Sequence, residues 1–290
     1  FHSRGRVGMG ARGTKAFVGC EKYLICPLCR LPLRLSESSL KCTGGHNFDI
    51  ARQGYVNLLR NHQPSGPYNR ESFLNRRQIF LSGLYEPLVD KVKSLIDYFE
   101  IKDVVVDAGC GEGFFTSRLA CEAPSTTRFF SFDISKEAIR LAAAENHSDC
   151  ITWFVSDLAA IPIQSQTTGC VINLFSPANY TEFSRLLRRG GIVIKAIPTQ
   201  NHFIEIRDKV YESRTGYNGY SNKRGIDYFA KHCRLIGRHT VSSSIEMTPD
   251  LLSATIGMTP IMFGVDGHDV DWSSVTSLTM ESDVLVGSFE

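Results

Sequence analysis

The chain has 290 residues, 42% of them apolar and 21% charged, with a formal net charge of +2 at pH 7. This length allows one sizeable α/β core with a smaller appended unit, and no apolar run approaches the roughly 18–20 residues of a membrane span, which excludes a membrane protein. Nine cysteines, an odd number with three crowded between residues 26 and 42, predict a cytoplasmic protein with reduced thiols and a metal site, and exclude a secreted disulfide scaffold.

The first nineteen residues are rich in Gly and Arg and contain no apolar signal core. We expect residues 1–19 to be a disordered lead-in or a cloning remnant. Residues 1–77 contain 13 Lys and Arg against 4 Asp and Glu, whereas the remainder of the chain is net acidic. This asymmetry predicts that the front of the chain faces a polyanion, although an ordinary solvated surface would have the same composition.

Residues 20–60 contain a pattern typical of a small metal-binding module. Cys26, Cys29, Cys42 and His46 are spaced C-x2-C-x12-C-x3-H, as two close pairs of ligands. Such a quartet closes a tetrahedron around Zn²⁺ without a larger core, and four protein ligands make the site structural. The alternative is a set of unligated buried cysteines beside a loop histidine. A small module tied to a basic segment is suited to contacting RNA.

Residues 61–86 are predicted to be a linker and helical connection. The segment 61–72 gathers Asn, Pro, Gly and Ser, which is typical of a linker. From Phe73 to Phe99 the apolar residues recur mostly at spacings of three and four, which predicts one or two amphipathic helices with a break at Ser82-Gly83. The larger domain is then expected over residues 87–290.

Seven strand-like segments in the larger domain predict a mostly parallel seven-stranded sheet. The first five are the apolar runs at 103–109, 128–134, 151–157, 169–176 and 191–197. Helix-like sequence separates the first three, and such alternation is typical of a parallel α/β sheet covered on both faces. A helix near 202–211, a strand at 238–247, a short helix at 248–257 and a strand at 283–289 complete the chain. Their order predicts a terminal antiparallel strand on a mostly parallel sheet.

The segment DAGCGEG follows the first predicted strand directly and precedes a helix. Gly109, Gly111 and Gly113 can adopt a positive φ and let a ligand lie against the main chain. Asp107 and Glu112 would repel the pyrophosphate of a dinucleotide, but they suit a cofactor that carries an ammonium and a sulfonium. The loop therefore favours S-adenosylmethionine over a nicotinamide cofactor.

Two further acidic residues end the second and third predicted strands. Asp133 is placed to accept hydrogen bonds from ribose hydroxyls. Asp157 is a candidate partner for the adenine amino group. Each carboxylate has an alternative role as a helix cap or strand end, and for Asp157 the cap is about as strongly indicated as the cofactor contact.

Several motifs together resemble those of the bacterial 23S rRNA (guanine-N1)-methyltransferases. They are the metal quartet followed by GYVNLL, and then RRQIFLSGLYEPL, DAGCGEGFF, FDIS, LFSPANYTEFSRLLRRGG and IPTQNHFIEIR. The resemblance implies a Rossmann-like class I S-adenosylmethionine-dependent methyltransferase with an N-terminal zinc-binding domain. It implies methylation at N1 of a guanine in a hairpin of 23S rRNA near the peptide exit tunnel. It also places the zinc ligands at Cys26, Cys29, Cys42 and His46 and cofactor contacts at Tyr85, Gly111, Glu112 and His202.

The resemblance adds expectations that the residues alone do not provide. Without it, Tyr85 is predicted to be a core aromatic and His202 a helix-start residue. Some Gram-positive relatives reduce macrolide sensitivity, which makes that effect an expectation here. The identity of the guanine and the formation of a homodimer stay open. The alternatives are a methyltransferase acting on another RNA or a small molecule, and an inactive RNA-binding zinc protein.

The segment NLFSPAN follows the fourth predicted strand, at the carboxyl edge of the sheet. Asn173, Ser176 and Asn179 are therefore candidates to hold the substrate, and Phe175 and Tyr180 are candidates to hold a base that has left its stack. Guanine N1 carries a proton at neutral pH, so methylation also requires a proton acceptor. The sequence does not identify that acceptor.

Overall fold

The computed structural model describes residues 13–60, 69–212, 220–263, 265, 267 and 270–289. Residues 1–12 of the predicted lead-in and residues 61–68 of the predicted linker lie outside the described residues. Within the described ranges, no helix combines the length and the apolar character that crossing a bilayer would require.

The N-terminal part of the chain forms a small unit of short strands. An antiparallel sheet is made of β1 (Arg34–Ser36), β2 (Ser39–Lys41) and β3 (Asn47–Asp49), in that order. The next strand, β4 (Tyr55–Asn57), lies outside this small sheet and pairs with the large sheet of the chain. The two units are therefore joined by main-chain hydrogen bonds.

The large sheet contains the seven predicted strands, with β4 as an eighth. In chain order they are β5 (Val104–Ala108), β6 (Arg128–Asp133), β7 (Ile151–Val155), β8 (Thr168–Leu174), β9 (Leu187–Pro198), β10 (Arg234–Glu246) and β11 (Ser277–Ser288). Their order is β10-β11-β9-β8-β5-β6-β7-β4, and β11 runs antiparallel to both of its neighbours. The predicted mostly parallel sheet is confirmed, and its antiparallel strand is the last one of the chain, β11, which lies between β9 and the edge strand β10. The pairing of β4 parallel to β7 is an addition.

Eight α-helices connect and cover these strands within the described residues. They are α1 (Arg70–Leu81), α2 (Glu86–Tyr98), α3 (Phe114–Glu122), α4 (Lys136–Glu145), α5 (Tyr180–Leu186), α6 (Ile204–Glu212), α7 (Lys223–His232) and α8 (Pro249–Met258). The predicted break between α1 and α2 is confirmed, because Gly83 has a φ of 85° there. The helix α7 has no counterpart in the sequence prediction.

The large sheet separates two hydrophobic cores. One face is covered by α1, α2, α3, α4, α6 and α8. The other face is covered by α5, by α7 and by the N-terminal unit, whose Leu33 and Leu40 are fully buried in the same core as Phe132 and Phe154. Burial of each such side chain contributes about 1.5–3 kcal/mol. The N-terminal unit is therefore packed onto the sheet as part of its core.

The segment just before residue 20 differs from the expectation of a disordered lead-in. Phe17 is fully buried, on a short 3₁₀ turn at Lys15–Phe17. The carbonyl of Ala16 accepts hydrogen bonds from Thr152 at 2.8 Å and from Arg128 at 3.2 Å. A single apolar residue in a Gly- and Arg-rich stretch has no periodicity, so the sequence contained no indication of this contact with β6 and β7.

Candidate functional site

Three glycines shape the loop between β5 and α3. Gly109, Gly111 and Gly113 have φ values of 84°, 56° and 82°, in the left-handed region that residues with side chains disfavour. A Cβ on Gly109 would overlap Ser176, and a Cβ on Gly113 would lie 2.5 Å from a ring carbon of Trp153. The main chain therefore turns tightly here and leaves its surface open to a ligand.

A cavity of about 1200 Å³ lies beside this loop at the carboxyl edge of the large sheet. The cavity wall is built from the segments that follow β5, β6, β8 and β9, with contributions from α1 and α8. Nine sequence-predicted site residues line it, namely Tyr85, Asp107, Gly109, Gly111, Glu112, Asp133, Phe175, Ser176 and His202. Residues distant in the sequence are thus brought to one cavity.

Two buried carboxyl groups flank the glycine loop. Burial raises the pKa of Asp107 to about 7, even though Thr116 donates a hydrogen bond to its Oδ2 at 2.5 Å. Burial also raises the pKa of Glu112 to about 7, against the opposing effect of Arg76, whose Nη1 is 3.8 Å from Glu112 Oε2. Among the described residues, Glu112 Oε1 has no hydrogen-bond partner. A cationic or N–H-bearing ligand would satisfy it.

Asp133 links the second strand to the glycine loop. It accepts hydrogen bonds from the main-chain N–H of Gly111 at 3.0 Å and of Ser135 at 2.8 Å. Burial raises the pKa of this carboxyl group as well. An acidic wall with an unpartnered Glu112 oxygen and an open glycine turn fits a ligand with an ammonium and a sulfonium. The residues present therefore fit S-adenosylmethionine.

Tyr85 and His202 come from distant parts of the chain and meet on the cavity wall. The hydroxyl of Tyr85 is 3.5 Å from His202 Nε2, and His202 Nδ1 is 3.1 Å from the carbonyl oxygen of Glu281. A carbonyl can only accept, so Nδ1 carries the hydrogen and Nε2 presents a lone pair. Burial lowers the pKa of His202 to about 4, which keeps the ring neutral. The Phe175 ring packs against both side chains.

Four sequence-predicted residues do not line the cavity, namely Asp157, Asn173, Asn179 and Tyr180. Tyr180 is instead buried in the core against Phe229. Asp157 accepts a hydrogen bond from the main-chain N–H of Ala159 at 2.9 Å, within a turn and not at the start of a helix. Asn179 is the N-cap residue of α5 and also donates to the Leu158 carbonyl. Asn173 is buried behind the wall. Asp and Asn at strand ends serve equally well as caps and as ligands, so sequence position alone did not separate the two roles.

The four predicted zinc ligands converge at one point of the N-terminal unit. The ligand atoms of Cys26, Cys29, Cys42 and His46 all lie within 4.8 Å of one another. His46 Nδ1 is 3.5 Å from Cys26 Sγ and 3.4 Å from Cys42 Sγ, and the sulfurs of Cys29 and Cys42 are 3.5 Å apart. In a tetrahedron with metal–sulfur bonds of about 2.3 Å, sulfur atoms are about 3.8 Å apart. The spacing therefore fits one structural Zn²⁺.

The chain matches family models in both of its units. The model of the zinc ribbon described as RlmA, N-terminal, matches residues 24–64, and a model described as Methyltransferase domain matches residues 105–191. A 23S rRNA (guanine(748)-N(1))-methyltransferase of Streptomyces fradiae is 30% identical over 252 residues, which cover 86% of this chain and 89% of that relative. This chain belongs to the 23S rRNA (guanine-N1)-methyltransferase family.

Another relative supports membership of the guanine-N1 methyltransferase family over almost the whole chain. A candidate 23S rRNA (guanine-N1)-methyltransferase of Bacillus subtilis is 30% identical over 284 residues, which cover 90% of this chain and 95% of the relative. Among solved structures, the YcgJ protein of Bacillus subtilis aligns with a TM-score of 0.47 and 13% identity over 68% of this chain and 97% of its own.

The cavity wall of this methyltransferase contains cationic residues that were not predicted from the sequence. Arg76 from α1, Lys195 from β9 and Arg207 from α6 all line it. Lys195 is the most unusual of them, because it lies within a strand and its side chain is buried. The only signal for it was a lysine inside the apolar run GIVIKAI, which by itself also fits a strand end at the surface.

Proposed function

We propose that this chain transfers a methyl group from S-adenosylmethionine to N1 of a guanine in a hairpin of 23S rRNA. The observation that carries the proposal is the cavity, which is lined both by an acidic glycine turn and by the adjacent segment after β8. The first suits a cationic methyl donor, and the second is placed to hold an acceptor base. The guanine in rRNA is inferred from the relatives named for that reaction.

The glycine turn and its acidic neighbours form the cofactor half of the proposed site. Glu112 binds the cationic end of the cofactor through its unpartnered Oε1, and Asp133 accepts from the ribose hydroxyls. Tyr85 and His202 are in contact on the wall of the same cavity and hold the donor in place. When bound, S-adenosylmethionine supplies a methyl group on a positively charged sulfur. Catalysis then consists mainly of holding the two reacting atoms close and in line.

The segment after β8 forms the acceptor half. Phe175 has a φ of 53°, an uncommon conformation for a residue with a large side chain, and its ring lies on the cavity wall. We assign it the role of stacking on a base that has left its helix. Ser176 is next to it and offers a hydroxyl to the base edge. Asn173 and Asn179 do not contact the base. Their side chains hold the segment in position by hydrogen bonds to the carbonyls of Ala108 and Leu158.

The N-terminal unit is proposed to contact the RNA. Six of its basic side chains are exposed, namely Lys22, Arg30, Arg34, Lys41, Arg52 and Arg60. Because β4 is hydrogen-bonded to β7, a hairpin held by this unit lies at a fixed position relative to the sheet. We propose that residues 20–60 recognise the RNA and residues 87–290 transfer the methyl group, with residues 61–86 as the connection. We also propose that the protein is cytoplasmic and that methylation of the rRNA lowers macrolide sensitivity.

The decisive experiment is to map reverse-transcription stops on 23S rRNA after incubation with the protein and cofactor. An N1 methyl group blocks Watson–Crick pairing. We therefore expect one new stop in the complete reaction, one nucleotide to the 3′ side of a hairpin guanine. The same reaction without cofactor is the control. A labelled methyl group that passes to a small molecule or another RNA, with no stop on 23S rRNA, would contradict the proposal.

The proposed RNA contact has its own test. Binding of the protein to an rRNA fragment that weakens steeply with salt would support contacts with the phosphates.

A further inference from the structure

Lys195 is a buried lysine without an acidic partner. Its side chain is on the cavity wall, and the residue is 8% exposed. The residues paired with it across the sheet are Asn173 on β8 and Leu285 on β11, and neither is ionisable. Within the described residues, no carboxylate forms an ion pair with it. Burying an ammonium group without a counter-ion is costly, and lysines in such positions often serve as proton acceptors.

The hydrogen bonds of Lys195 fix the direction of its amine. Nζ donates to Asn173 Oδ1 at 2.5 Å and to the main-chain carbonyl of Ser176 at 2.9 Å. Asn173 cannot turn its amide round, because its Nδ2 donates to the carbonyls of Ala108 and Pro177 at 2.7 and 2.9 Å. Both partners of Nζ are therefore acceptors only. Two of the three positions on the amine hold hydrogens, and the third is left for the cavity.

These contacts place the amine between the two halves of the proposed site. The carbonyl partner belongs to Ser176, whose side chain packs directly against Gly109 of the cofactor loop. The amide partner, Asn173, is hydrogen-bonded to Ala108 at the end of β5. The orientation of Nζ is thus fixed by its two acceptors, Asn173 on β8 and the Ser176 carbonyl in the segment after it. Because Lys195 lines the cavity beside both segments, we infer that the third position of the amine is open to a ligand there.

We propose that Lys195 accepts the N1 proton of the guanine during methyl transfer, an inference that rests on the proposed function. The N1–carbon bond forms while the bond between that methyl carbon and sulfur breaks, and the electron pair of the broken bond stays on sulfur. The N1 proton passes to the neutral amine of Lys195, which becomes an ammonium. This ammonium returns the proton to water after the product leaves, so that no further reactant is required.

The protonation properties of the neighbouring groups agree with this assignment. Burial lowers the pKa of Lys195 to about 8, so that a part of the population is neutral near neutral pH. His202 is a weaker acceptor, since burial lowers its pKa to about 4 and its Nε2 faces Tyr85. The buried carboxyl groups of Asp107 and Glu112 lie at the cofactor loop.

Other ionisable groups around β9 are accounted for by contacts of their own. On β11, Asp283 is held by Arg238 and its pKa is lowered. On α5, which covers the same face of the sheet, Glu182 is paired with Arg185. None of these groups hydrogen-bonds to Lys195. We therefore expect the pH dependence of the rate to follow the titration of Lys195. The other titratable groups on the cavity wall are Tyr85, Asp107, Cys110, Glu112, Asp133, Lys136, Glu137 and His202.

The test compares Lys195→Gln and Lys195→Arg with the wild type in single-turnover methylation of the rRNA across pH. The neutral amine is the active form, so the wild-type rate should rise with pH and level off above the lysine pKa. We expect Lys195→Gln to be slower by about 100-fold or more and to lose that inflection. Lys195→Arg should be equally slow, because a guanidinium does not release its proton. Lys102→Gln, at an exposed position before β5, is the matched control and should match the wild type.

Two further measurements separate this role from a structural one. Cofactor affinity by calorimetry and the thermal unfolding temperature should be nearly unchanged in Lys195→Gln, with Lys195→Met as a second variant if Gln impairs folding. NMR titration of the cofactor-free protein should show one lysine signal, absent from Lys195→Gln, that titrates well below the ordinary range.

Three results would overturn the proposal: a Lys195 that stays charged up to about pH 10, a Gln variant within about threefold of the wild-type rate, or full rescue by Arg. A wild type that methylates no RNA would instead refute the proposed function, while the NMR titration would still report on the lysine itself.

Discussion

Ser176 occupies the space that a side chain on Gly109 would need. A Cβ built on Gly109 would overlap the Ser176 hydroxyl and lie 2.7 Å from its Cβ. The cofactor loop after β5 and the acceptor segment after β8 are therefore packed directly against each other. A change in either one moves the other, which links the two halves of the site physically.

Gly109→Ala is expected to lower the free energy of unfolding by about 2–4 kcal/mol, because it combines left-handed strain of about 1–2 kcal/mol with overlap against Ser176. Gly190→Ala is the matched control. Gly190 has a similar φ of 73°, but a Cβ there meets nothing within 4 Å, so only the strain applies. Urea denaturation measures both. Equal losses in the two variants would mean that the contact with Ser176 is unimportant.

Phe17→Ala is expected to destabilise the chain by about 3–5 kcal/mol, because the ring is fully buried against the sheet. Its neighbour Val18 is 61% exposed, and Val18→Ala should change stability by less than about 0.5 kcal/mol. Thermal or urea unfolding compares the two variants. If Phe17→Ala were as mild as Val18→Ala, the segment before residue 20 would not be part of the folded core.

The strands, the glycine turn and the zinc quartet could be predicted because their signals are local. Apolar runs report a buried strand, and ligand spacing reports a metal site, without any knowledge of tertiary contacts. The burial of Phe17 and the pairing of β4 with β7 depend on surfaces far away in the sequence, and short segments without periodicity do not reveal them. The arrangement around Lys195 is of the same kind, because its partners come from another strand.

The zinc site should support the stability of the whole chain. Cys29→Ser is expected to reduce bound zinc from about one per chain to almost none, as measured by a colorimetric assay after unfolding. Because the N-terminal unit shares its core with the sheet, the thermal unfolding temperature should fall as well. Cys121→Ser, at an exposed position outside the quartet, is the control and should retain its zinc. Retention of zinc by Cys29→Ser would remove Cys29 from the site.

The raised pKa values of Asp107 and Glu112 make stability depend on pH. The folded state holds these protons up to about pH 7, whereas the unfolded chain releases them near the ordinary values of 3.8 and 4.5. The folded state thus binds more protons in this window, so the free energy of unfolding contributed by these groups falls as pH rises from about 4 to about 7. In Glu112→Gln the free energy of unfolding should fall less over this pH range, because one of the two groups no longer titrates. Urea denaturation across that pH range measures the effect.

Cofactor binding should show the opposite dependence on pH. A positively charged ligand favours the ionised carboxylates, so binding below about pH 7 must release protons. We expect the affinity for S-adenosylmethionine to increase between about pH 5.5 and pH 7 by up to tenfold per pH unit for each group. The binding enthalpy in calorimetry should also change with the ionisation enthalpy of the buffer. Glu112→Gln should bind more weakly at pH 7, and with a smaller pH dependence, because one of the two titrating groups is gone. An affinity that is flat across this range in the wild type would mean that the acidic wall does not contact the cationic part of the cofactor.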